Sequence, residues 1–99
     1  MSDFEEFTSE ATHILDDLEE VLQKSKALPS DERLDFLEKI PKRIDMVTDN
    51  IKSAEIEIAM MTPDEQARSR EIIKGINNRV TLIQAEVKSD KQQIFTDNN

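Results

Sequence analysis

The chain has 99 residues, 35% of them charged, with one glycine, no cysteine, no tryptophan and no tyrosine. That length suits one domain, and the composition is that of helices around a narrow core, which excludes a disulfide framework, thiolate chemistry and strand-rich folds. The net charge of −9 divides as −6 over residues 1 to 28, −3 over 29 to 61 and 0 over 62 to 99, so the acidity belongs to the first third of the chain. Nucleic acid and anionic lipid both need clustered Lys and Arg, and this balance argues against either as the main ligand.

The first periodic stretch places Phe4, Phe7, Ala11, Ile14, Leu18, Val21 and Leu28 on alternating steps of three and four residues, with a lapse at Ser25. Such residues share one side of an α-helix, predicted over 3 to 27, and Ser2 with Glu5 has the spacing of a capping box. Leu28, Pro29 and Ser30 form a turn, with Ser30 or Asp31 expected to cap the next helix. That second stretch, 31 to 61, runs Leu37, Ile40, Ile44, Val47, Ile51, Ala54, Ile58 and Met61. Pro41 lies inside it and predicts a kink, or a short separate helix over 31 to 39.

Thr62, Pro63, Asp64 and Glu65 read as a second capping box with proline at the first helical position. The third helix is predicted over 63 to 95, with Ile73, Ile76, Val80, Ile83, Val87 and Ile94 on its stripe and a lapse at Asp90; residues 96 to 99 look like a fraying end. Gly75 costs about 1 kcal/mol against alanine in a helix interior; it is either tolerated without a reason or, if it has one, explained by close approach of a neighbouring helix rather than by ligand binding. Each stripe is wider than a two-stranded seam needs: Leu15 and Leu22 flank the first, Leu34 and Phe36 begin the second, and Ile72 and Arg79 flank the third. Short connections between long helices then predict an all-α, antiparallel up-down-up three-helix bundle with left-handed coiled-coil-like packing, forming one domain over 1 to 99 and monomeric.

Chemistry is scarce. His13 is the single histidine and lies beside Asp16 and Asp17 on the outward side of the first helix, so no multi-histidine metal site can be built from it. A carboxylate pair needs an enclosed pocket to shift its pKa, a serine needs a base, and neither a phosphate loop nor a calcium-loop spacing is present. The sequence predicts no enzyme, no catalytic or metal residues and no cofactor. No apolar run reaches the roughly 20 residues that span a bilayer, and the start lacks a basic region followed by an apolar core. The expectation is a soluble chain without a secretory signal and without direct membrane insertion.

What remains is surface. Ile56 and Met60 point away from the second stripe, and Leu82 away from the third, at a different height. The antiparallel topology brings the second turn beside the start of the first helix, which groups Ile56, Met60, Met61 and Thr62 with Phe4, Glu6 and Glu10. Apolar side chains with an acidic margin have the anatomy of a small protein-binding surface, and Glu6, Glu10, Ile56, Met60 and Thr62 are its candidate residues.

An acidic first helix, the runs "ERLDFLEKIPKRIDMVTDNIKSAEIEIAMM" and "SREIIKGINNRVTLIQAEVKSDK", and a proline-containing turn between them resemble the N-terminal three-helix, Habc-like domain of Qb-type SNAREs of the vesicle-transport v-SNARE (Vti) group. The resemblance covers about residues 4 to 92 and rests on heptads and the run Ala54 to Ile58. It implies a regulatory domain at the cytoplasmic face of Golgi, trans-Golgi or endosomal membranes. The implied partners are ENTH-type adaptors and, through a SNARE motif outside this stretch, other SNAREs. Two other helical modules fit the length. A spectrin-like repeat usually has a tryptophan in its first helix, which is lacking here. A BAG-like chaperone cofactor would act through Lys39, Lys42, Arg43 and Arg70 or Arg79.

Overall fold

The computed structural model describes residues 2–97, which form α1 (Asp3–Ser25), α2 (Ser30–Ile58) and α3 (Pro63–Asp97). The three pack as a bundle 55 Å long and 19 by 17 Å across. Ser2 Oγ accepts from Glu5 N at 3.2 Å and Thr62 Oγ1 from Glu65 N at 3.3 Å, so α1 and α3 each begin on a hydroxyl that satisfies an otherwise orphaned N–H. α2 begins differently. Pro29 occupies the cap, where no N–H is needed, its carbonyl accepts from Arg33 N at 2.9 Å, and Ser30 is already helical.

Pro41 does not divide α2, which runs unbroken from Ser30 to Ile58, so residues 31 to 39 are not a separate helix. Pro41 is exposed at the edge of a shallow depression between α2 and α3, and it costs the helix only the hydrogen bond that its missing N–H would give to the Leu37 carbonyl. α3 continues through Thr96 and Asp97, two residues past the expected end; Asn98 and Asn99 lie outside the described residues.

The core follows the apolar spacing closely on α2, where Leu37, Ile40, Ile44, Val47, Ile51, Ala54 and Ile58 are all buried. α1 is rotated from its simplest stripe. Leu15, Leu22 and Ser25 are wholly buried and Thr8 nearly so, while Phe7, Val21 and Leu28 are half-buried. Both polar exceptions satisfy themselves: Thr8 Oγ1 donates to Phe4 O at 3.0 Å and Ser25 Oγ to Leu22 O at 2.8 Å. The rotation follows from α1 facing two neighbours at once.

Ion pairs fix the register. Arg79 on α3 reaches Asp16 at 2.6 Å and Glu19 at 2.9 Å, and Lys26 reaches Glu86 at 2.8 Å, so α1 and α3 run parallel with an offset near 60 residues. The hydrogen bond from Arg79 to Asp16, followed by that to Glu19, raises the guanidinium's pKa above its ordinary value; Glu86 does the same for Lys26. Arg43 meets Asp17 at 3.4 Å across the α1–α2 seam. The lapse at Asp90 is a buried ion pair with Arg33 at 3.2 Å, linking the start of α2 to the end of α3. Its alignment is poor: Arg33 Nε and Asp90 Oδ2 are buried without a hydrogen-bond partner in the protein.

Candidate functional site

The turn after α2 is built to hold one methionine in and one out. Met60 N donates to Glu57 O at 3.2 Å and Met61 N to Ile58 O at 3.0 Å, tightening the last helical turn. Gln66, one turn into α3, reaches back with its Nε2 to Ile58 O at 3.2 Å, which Met61 N also reaches, and to Met61 O at 3.3 Å, tying the start of α3 to the end of α2. Ser69 Oγ donates to Met61 Sδ at 3.1 Å and draws that side chain inward. Met60 is left 74% exposed.

Beneath Met60 opens a cleft of about 570 Å³ at the end of the bundle, where Phe4, Met60, Met61 and Ile72 meet Asp3, Glu5, Glu57, Glu65 and Arg68. The other expected residues lie elsewhere. Asp17 marks the α2-facing side of α1, and at 100° per residue Glu6 and Glu10 each fall within about 20° of it. By the same measure Glu5 falls within about 20° of Asp16, on the α3-facing side. Glu6 and Glu10 therefore stand across α1 from the cleft. Ile56 is 68% exposed on the outer face of α2, and Thr62 is engaged as the cap of α3. Of the five candidate residues, Met60 alone lines the cleft.

Glu57 and Arg68 carry no sequence signal that singles them out, and Glu5, Glu65 and Ile72 read in the sequence only as capping-box and stripe residues, not as parts of a surface site. The parallel register of α1 and α3 brings Glu5 to Glu65, Arg68 and Ile72, and the end of α2 adds Glu57. His13 is exposed and lines a shallow depression with Asp16, and among the described residues no group of three His, Cys, Asp or Glu side chains could hold a metal ion.

A family model described as the vesicle transport v-SNARE protein N-terminus matches residues 1–91, which takes in α1, α2 and α3 as far as Lys91. The chain belongs to this v-SNARE family. Searches of curated proteins and of solved structures returned no match. Membership gives the v-SNARE domain a role in vesicle transport, in a non-enzymatic trafficking family whose members associate with vesicle membranes and interact with other SNAREs. No helix among its described residues is long and apolar enough to cross a membrane. Membership also displaces the spectrin-like and BAG-like alternatives. Of the cations the latter would require, Arg43 and Arg79 are already engaged by Asp17, Asp16 and Glu19.

Proposed function

We propose that this v-SNARE domain is a non-catalytic recruitment module which presents the α2–α3 turn to an ENTH-type trafficking adaptor at the cytoplasmic face of Golgi or endosomal membranes. The observation that carries the reading is Met60, held outward by a turn whose own hydrogen bonds are closed, beside an α1 bearing a net −6 over residues 1 to 28. An exposed, flexible thioether suits a shallow apolar contact, and the acidic helix suits steering of a basic adaptor surface. Glu6, Glu10, Ile56 and Thr62 form the α2-side margin of that contact.

Charge reversal at Glu6 and Glu10 combined with Met60→Ala tests it, with binding kinetics to a cognate ENTH domain measured at two salt concentrations. The charge changes should lower the association rate most at low salt, and Met60→Ala should raise the dissociation rate. Parental affinity in the triple variant would remove this end of the bundle from consideration.

A further inference from the structure

We infer that the trough between α1 and the first half of α3 is a docking site for a basic amphipathic helix of a partner protein. This goes beyond the adaptor contact proposed above, which lies on the α2 side of α1 and shares only Met60 with it.

The end cleft of about 570 Å³ does not stop at the end of the bundle. A second depression of about 300 Å³, lined by Thr8, Ser9, Thr12, His13 and Asp16, adjoins it, and Ile72 lines both. Together they follow α1 from Ser2 to Asp16, a length of about 21 Å at 1.5 Å per residue. Beyond that point Arg79 closes the seam through Asp16 and Glu19, and Lys26 with Glu86 closes it again. The trough is therefore bounded at its Arg79 end, and its length is that of about four helical turns.

Charge identifies the occupant. Where the seam is closed the acids are matched: Asp16 and Glu19 by Arg79, and Glu86 by Lys26. Where it is open, Asp3, Glu5, Glu57 and Glu65 line the walls with Arg68 as the one guanidinium, and none of the four acids is in an ion pair among the described residues. The apolar surface between them includes Phe4, Met60 and Ile72, the last 48% exposed. An incoming helix with one apolar face and Lys or Arg along its margins meets both demands. A second copy of this chain, at a net −9, brings the wrong sign.

Gly75 supplies an independent observation. It is the only glycine, it has no positive φ, and a Cβ built on it would meet nothing within 4 Å. The bundle itself does not need a glycine there. Gly75 stands three residues beyond Ile72 on the same side of α3, where a bare Cα lets another backbone approach.

The test uses a labelled peptide of about 15 residues, long enough at 1.5 Å per residue to fill the trough, with Leu and Lys at helical spacing; a Leu and Glu peptide of the same pattern is the control. The basic peptide should bind saturably, with amide shifts centred on Glu5, Ser9, Thr12, Arg68, Ile72 and Gly75, and the acidic peptide should not bind. Gly75→Gln should weaken binding by about tenfold or more without lowering the melting temperature, because the side chain fills the approach path and not the core. Glu5→Gln with Glu65→Gln should weaken it mainly at low salt. Undiminished binding by Gly75→Gln, shifts on another face, equal binding of the acidic peptide, or no saturable binding would each overturn the assignment. So would a concentration-dependent dimer of the parent in sedimentation that buries these residues.

Discussion

Removing either partner of the Arg33–Asp90 pair should destabilise the bundle far more than removing both. Their side chains are 15% and 9% exposed, so a lone guanidinium or carboxylate left behind stays largely out of water. Breaking a buried pair from one side costs about 3 to 5 kcal/mol. With the residual access of Arg33 to solvent and the poor alignment of the contact, about 3 kcal/mol is expected for either Arg33→Met or Asp90→Leu. For a domain of this size that lowers the melting temperature by about 12 °C or more, at roughly 4 to 8 °C per kcal/mol. The double variant replaces both charges by apolar groups and removes the unpartnered Arg33 Nε and Asp90 Oδ2 together, so it should match or exceed the parent. Urea unfolding of the four proteins, followed by far-UV circular dichroism, gives the coupling directly. Additive losses, with the double variant down by about 6 kcal/mol, would refute the claim that the two charges matter to stability through each other.

Three further outcomes follow from burial. Ile51→Ala should cost about 2 to 5 kcal/mol in the same melts, whereas Ile56→Ala, at a residue 68% exposed, should stay within about 0.5 kcal/mol; equal losses would mean that the faces of α2 are misassigned. Gly75→Ala should stabilise by about 0.5 to 1 kcal/mol, since helix propensity improves and the new methyl meets nothing; a lower denaturation midpoint would contradict the open surroundings of that residue. Leu22→Ala, at a side chain with no exposure, should cost about 3 kcal/mol or more, and a loss under about 1 kcal/mol would mean that α1 is not rotated as described.

How much of this was legible in the sequence differs from helix to helix. The stripe of α2 reads directly, because its burial follows one unbroken series of large aliphatic residues from Leu37 to Ile58. α1 reads less well. Thr8 and Ser25 interrupt the apolar pattern yet lie inside, since each hydroxyl bonds a carbonyl of its own helix and needs no water. Asp90 looks like a gap in the third stripe and is a buried residue whose partner, Arg33, lies in another helix. The site shows the same limit. Met60 is visible as an apolar residue on the wrong side of a helix, but Glu5, Arg68 and Ile72 acquire meaning only from the parallel offset of α1 and α3, a relation between segments about 60 residues apart. The surroundings of Gly75 are likewise invisible to periodicity: a helix approaching it was the expected reason, and within the bundle there is none.

The three seams of the bundle are not held alike. The α1–α2 interface is the most extensive, whereas α3 adds to its buried aliphatic residues the polar clasps of Arg79 and Glu86 to α1, with an open trough between α1 and its first half. Partial opening therefore has a preferred direction. Amide hydrogen exchange under native conditions should show α3 releasing protons in a sub-global step while the α1–α2 hairpin stays protected up to the free energy of complete unfolding. Added salt should lower the cost of that step more than it lowers global stability, because exposed charge pairs are screened and aliphatic contacts are not.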